Sequence, residues 1–161
     1  MPNAAEWLLD YILILEKMAR MARGFHVLIV EDEPLVLDVL QTMLETLYHV
    51  SSAPTVAEAQ AILRTSHIDV ALIDSVLPDG RGADVAVLAY NVGAAVIEMT
   101  GDPQEHIGLV ASGRPHLFKP FRANVLLATV GDALHGHQRS ALGTESMAAK
   151  TSRREIAALP P

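Results

Sequence analysis

The chain repeats one pattern: a short run rich in aliphatic and β-branched residues stops at polar residues, and a stretch with helical spacing follows. Residues 27–30 are wholly apolar, as suits a parallel strand covered on both faces. Glu31, Asp32 and Glu33 stop the run. Pro34 then fits a first helical position, and Val36, Leu40, Met43, Leu44 and Leu47 share one face of a helix to about residue 47. Residues 48–53 read as a second strand. Thr55 followed by Glu58 has the form of a capping box opening a helix to about Arg64. Residues 68–73 form a third strand ending at Asp74, and Pro78, Asp79, Gly80 and Gly82 make a loop before a helix near 84–90. Residues 95–99 make a fourth strand that stops at Thr100-Gly101. After a short helix around 104–111, weakened by Gly108 and Gly113, residues 116–118 make a fifth strand ending at Lys119, and 122–134 the last helix.

Strands alternating with helices imply an α/β fold with a parallel sheet covered on both faces. Right-handed crossovers reduce the arrangements to a doubly wound five-stranded parallel sheet of flavodoxin-like order 2-1-3-4-5. Ahead of it, Trp7, Leu8, Tyr11, Ile12, Leu15, Met18, Ala19 and Ala22 recur at helical spacing and predict an extra N-terminal amphipathic helix within residues 1–24. That helix either packs on the domain or forms a homodimer, unless translation starts at Met18 or Met21. The main domain is expected over 25–134. Residues 135–161 lack an apolar stripe and read as a flexible C-terminal tail, with 147–159 an optional docking helix.

Charge narrows the partners. The formal charge of −7 is concentrated in residues 25–134, which hold 14 acidic and 5 basic residues; the N-terminal stretch balances, and the tail carries four basic and two acidic residues. A core so short of clustered Lys and Arg does not suit nucleic acid, and Arg153-Arg154 is too short a patch. No apolar run is long enough to span a membrane. Glu6 and Asp10 stand where a signal peptide would carry positive charge, so a cytoplasmic location is expected. The absence of cysteine removes disulfides and thiolate chemistry, leaving hard oxygen-ligated metals.

In a doubly wound sheet the site lies beyond the carboxyl ends of the strands. The residues there are Glu31, Asp32, Asp74, Thr100 and Lys119. Three carboxylates in one crevice repel one another unless a cation intervenes, and such oxygen donors match Mg²⁺. A hydroxyl and an ammonium on the neighbouring strand ends can bond phosphoryl oxygens, which makes Asp74 the central nucleophile.

Four blocks at these strand ends carry a resemblance: Val27-Leu-Ile-Val-Glu-Asp-Glu-Pro34, Ala71-Leu-Ile-Asp-Ser-Val-Leu-Pro-Asp-Gly80, Met99-Thr-Gly101 and Phe118-Lys-Pro-Phe121. In this order they resemble the response-regulator receiver family, over about 110 residues of the chain. The resemblance implies a bacterial two-component phosphoprotein that takes a phosphoryl group from a histidine kinase or a histidine phosphotransfer protein. Asp74 would be the phosphoacceptor, Asp32 the direct Mg²⁺ ligand, Glu31 a ligand through water, and the main-chain carbonyl of Val76 a further ligand. Thr100 and Lys119 would bond the phosphoryl group, and Pro120 either resembles a family cis-proline or is an ordinary trans proline opening the last helix. Thr100 would also be the switch that biases a protein-binding output face, for a target the sequence does not name. Two departures stand out. His116 occupies the place of an aromatic switch residue, either rotating in its stead or merely solvated. Thr100 and Lys119 are only 19 residues apart, which implies a remodelled output face.

Nothing after the last helix is long enough for an output domain, so a stand-alone receiver is expected, not an enzyme beyond its self-catalysed phosphorylation and dephosphorylation. A phosphatase of the haloacid-dehalogenase type needs an acid two residues after the nucleophile, where Val76 stands. The alternative function is a phosphorylation-independent interaction or dimerisation module. His135 and His137 lack further ligands, and Asp79-Gly80-Arg81-Gly82 lacks the spacing of a nucleotide-binding loop and reads as a turn.

Overall fold

The computed structural model describes residues 24–136; the expected N-terminal helix and nearly all of the tail lie outside that range. In chain order the elements are β1 (His26–Val30), α1 (Pro34–Glu45), β2 (His49–Ala53), α2 (Val56–Thr65), β3 (Val70–Asp74), β4 (Val76–Leu77), β5 (Gly80–Arg81), α3 (Gly82–Asn91), β6 (Ala95–Thr100), α4 (Pro103–Ser112) and β7 (His116–Phe118). A final helix, α5, runs from residue 123 to 136, two residues past its expected end.

Five parallel strands make one sheet in the order β2-β1-β3-β6-β7, the flavodoxin-like arrangement expected from the alternation. Each strand sends alternate side chains to opposite faces, so two apolar layers form. Val27, Ile29, Val70, Leu72, Ile97 and Met99 pack with Leu40 and Leu44 of α1 and with Leu126 and Val130 of α5. Leu28, Val30, Ala71 and Ile73 pack on the other face with Ala59 and Leu63 of α2 and with Val85 and Ala89 of α3. Burying each large aliphatic side chain contributes about 1.5–3 kcal/mol, which is why the apolar runs of β1 and β3 fix the centre of the sheet.

Apart from shifts of one or two residues at element ends, two local details differ from what the sequence pattern predicts. The loop at 76–81 is a small antiparallel hairpin, β4 with β5, whose turn is Pro78-Asp79. There the Asp79 carboxylate accepts from the backbone N–H of Val56 at 2.7 Å and of Ala57 at 3.0 Å. The Thr55 hydroxyl accepts from Glu58 N–H at 3.2 Å and the Thr55 carbonyl from Ala59 N–H, so the first four N–H groups of α2 are all satisfied. Gly113, in turn, does more than weaken α4: it ends the helix in the left-handed conformation, φ 67°, that glycine adopts without a Cβ penalty.

Candidate functional site

The strand register builds the site. Val30 pairs with Ile73, Asp74 with Met99, and Thr100 with Phe118. The residues that follow or end these strands therefore fall in one row at the carboxyl edge. Glu31 N–H donates to Ala53 O, Ser75 N–H to Met99 O and Lys119 N–H to Thr100 O, which holds that row in place one residue beyond the ladders.

Lys119 joins the acids: its Nζ donates to Glu31 Oε2 at 2.6 Å and to Asp74 Oδ2 at 2.7 Å. The peptide bond between Lys119 and Pro120 is cis, as the resemblance implied. Glu31 is 1% exposed, and burial pushes its carboxyl above the ordinary value, with the hydrogen bond and charge of Lys119 opposing that shift. Burial pulls Lys119 down, but its hydrogen bonds to Asp74 and Glu31 and their charges outweigh it and hold the ammonium above its ordinary value.

One carboxylate oxygen from each of Glu31, Asp32 and Asp74 lies within 4.8 Å of the others. Three carboxylates face one ammonium, which leaves two negative charges uncompensated at a partly buried site. All the donors are hard oxygens, and a divalent cation would balance the charge, so the residues present fit Mg²⁺. Val76 is the first residue of β4, paired with Arg81 two residues beyond Asp74.

Thr100 is fully buried, and its Oγ1 has three partners. It donates to Glu105 Oε2 at 2.7 Å, accepts from Asp102 N–H at 3.0 Å and lies 3.4 Å from the Ser75 hydroxyl. His116 begins β7 half-buried, with Nδ1 2.7 Å from the Arg114 carbonyl and its ring edge-on to His106, centroids 5.1 Å apart.

Two residues have roles that their sequence context does not carry: Glu105, and Gly82, expected only in a loop. Glu105 stands three residues after the helix-capping Asp102, the spacing of a capping box, and that was the available signal. Its carboxylate reaches past the cap to Thr100. Gly82 sits where the chain passes over Asp74, and a Cβ built there would lie 2.0 Å from the Asp74 carbonyl oxygen.

A family model described as "Response regulator receiver domain" matches residues 27–131. The chain belongs to the response regulator receiver family. Among curated proteins it is similar to the "Response regulator SaeR" of Staphylococcus epidermidis, 26% identical over 137 residues. That match covers 78% of this chain and 60% of the relative, so the receiver chain spans less than two thirds of the relative's length. Among solved structures it is similar to a "CheY-like" receiver domain protein from Methanospirillum hungatei, at 26% identity and TM-score 0.65, covering 72% of this chain and 98% of that one. The non-phosphorylated HemR receiver domain from Leptospira biflexa is 27% identical with TM-score 0.60, covering 68% of this chain and 94% of that one.

A receiver domain with this acid cluster is consistent with phosphotransfer from histidine to aspartate. Among the described residues no helix is long and apolar enough to cross a membrane.

Proposed function

We propose that Asp74 is the phosphoacceptor of a receiver module spanning residues 25–134, and that the groups around it divide the work. The observation that carries this reading is the Lys119 ammonium, hydrogen-bonded to Asp74 and Glu31 together. It neutralises part of the acid cluster and aims a cation at the oxygens an incoming phosphoryl group brings.

An Asp74 carboxylate oxygen attacks phosphorus in line. The new O–P bond forms as the P–N bond of the phosphohistidine breaks, and the imidazole leaves with the electron pair. Glu31, Asp32, Asp74 and the Val76 carbonyl would hold Mg²⁺, which supplies charge neutralisation for the transferring oxygens. Thr100 donates its hydroxyl to a phosphoryl oxygen. Its position on β6 beside β7 couples occupancy of Asp74 to the surface of α4, β7 and α5, where Ile107, Val110, Phe118 and Val125 are exposed. A target protein or a second copy of the chain reads that apolar surface, and His116 lies at its margin as a secondary switch residue. A cytoplasmic location follows from the kinase partner.

The test is the intact mass of the protein after incubation with acetyl phosphate, with and without Mg²⁺, beside Asp74→Asn. One phosphoryl adduct that needs both Mg²⁺ and Asp74 supports the reading; no adduct from several donors favours an interaction module that works without phosphate.

A further inference from the structure

We propose that Glu105 is a latch on the switch hydroxyl: in the unphosphorylated protein its carboxylate takes the single proton of Thr100 Oγ1 and so competes with the phosphoryl group for it. The proposal rests on the assignment of Asp74 as phosphoacceptor and adds the group that restrains the switch.

A threonine hydroxyl has one proton to donate. Here it goes to Glu105 Oε2 at 2.7 Å, while the oxygen accepts from Asp102 N–H and faces the Ser75 hydroxyl at 3.4 Å. Thr100 is fully buried, so no bulk water offers a substitute acceptor. For Thr100 to bond a phosphoryl oxygen, the bond to Glu105 must break first. A phosphoryl group brings a charge of about −1.5 to −2, so the carboxylate is repelled by the group that displaces it.

The structure also provides somewhere for Glu105 to go. A cleft of about 300 Å³ beside the bond is lined by Ser75, Arg81, Glu98, Glu105 and Arg114. On its wall the exposed Arg81 guanidinium already stands 3.9 Å from Glu105 Oε1, whereas Arg114 is paired with Glu98 at 2.8 Å. Arg81 is thus the cation poised to receive the released carboxylate.

Release reaches the surface through α4. The helix is lightly anchored, with Leu109 its one buried residue, and Glu105 lies in its first turn. The next residue, His106, stacks on Phe118 with ring centroids 4.5 Å apart and meets His116 edge-on. Breaking the Thr100 bond therefore frees the turn that carries His106 against β7.

The experiment measures the Mg²⁺-dependent rate of phosphorylation by acetyl phosphate in the full chain, for wild type, Glu105→Gln and Glu105→Ala. Proton NMR of the unphosphorylated proteins follows the Thr100 hydroxyl. Loss of a charge-assisted hydrogen bond from the resting state raises the rate roughly tenfold in Glu105→Ala, and about threefold in Glu105→Gln, which keeps a neutral acceptor. The Thr100 hydroxyl proton is protected from exchange in wild type, less so in the glutamine variant and unprotected in the alanine variant. A general loosening of the fold would not grade the two readouts in that order. Should Glu105→Ala not fold cooperatively, the isosteric glutamine variant decides alone. Equal or slower rates in folded variants of a wild type that is phosphorylated overturn the latch and leave the Asp74 assignment standing. A wild type that accepts no phosphoryl group overturns both.

Discussion

Gly82→Ala tests how closely the chain must pass over Asp74. Gly82 opens α3, is buried, and donates its N–H to Ser75 O at 3.0 Å, which draws the two backbones together. A Cβ added there would lie 2.0 Å from Asp74 O, 2.9 Å from Asp74 C and 3.0 Å from Ile73 Cγ2. Reaching an ordinary contact near 3.4 Å requires a displacement of about 1.4 Å, and the first obstacle is backbone, not a side chain able to rotate away. Overpacking of this kind costs about 1–3 kcal/mol, and the rigid neighbour places it at the upper end. Alanine's helical preference over glycine returns about 0.5–1 kcal/mol, leaving a net loss of roughly 2 kcal/mol. With a urea slope of about 1–3 kcal/mol/M for a small domain, the midpoint falls by around 1 M. Because the displaced group is the Asp74 peptide, phosphorylation by acetyl phosphate should slow as well. Gly108→Ala is the control: it lies within α4 with nothing within 4 Å of an added Cβ, and should stabilise by about 0.5–1 kcal/mol. If Gly82→Ala unfolds at the wild-type urea concentration and is phosphorylated at the wild-type rate, the close-approach argument is wrong.

Three further outcomes follow from the same geometry. Lys119→Met should lower the phosphorylation rate by about 10²–10³, the usual loss for one preorganised donor. Titration should show Mg²⁺ bound more tightly in that variant, because the acid cluster loses its ammonium. Saturating Mg²⁺, at about one hundred times its Kd, should raise unfolding stability by about 2.7 kcal/mol, and Asp32→Asn should lose most of that gain in a thermal melt. His26 is held below the ordinary imidazole value of 6.5 by burial first and then by the charge of His49; Asp69 opposes the shift and His67 acts both ways. The unfolded chain therefore binds more protons than the folded one just below pH 6.5, so stability should fall with pH from 6.5 down to the folded value and then level off. Urea midpoints across that window should be flatter in His26→Gln.

The strands and the acid cluster were legible because both rest on short-range patterns: the aliphatic runs of β1 and β3 and the polar residues that stop them. Once β3 ends at Asp74 and β7 at Phe118, the parallel sheet brings Asp74 and Lys119 together without further information. The hairpin of β4 and β5 escaped notice because two-residue strands carry no periodicity. Its purpose lies in a long-range bond, the Asp79 carboxylate on the N-terminus of α2, 22 and 23 residues away in the chain. Glu105 was hidden for a different reason. Whether an N3 glutamate turns back to its own cap or onward to Thr100 depends on the loop from Gly101 to Asp102, and in this chain the Asp102 N–H is already given to Thr100. The need for glycine at 82 is likewise a matter of two backbones meeting, which no side-chain pattern records.

The position of the phosphoryl group on the chain decides whether Asp74 is the acceptor. After incubation with Mg²⁺ and acetyl phosphate, reduction with borohydride converts an aspartyl phosphate to homoserine, and peptide mass spectrometry reads which residue changed. Homoserine is expected at position 74, with none in the magnesium-free sample and none elsewhere. Conversion at another carboxylate, or a phosphoryl adduct without conversion at Asp74, would contradict it.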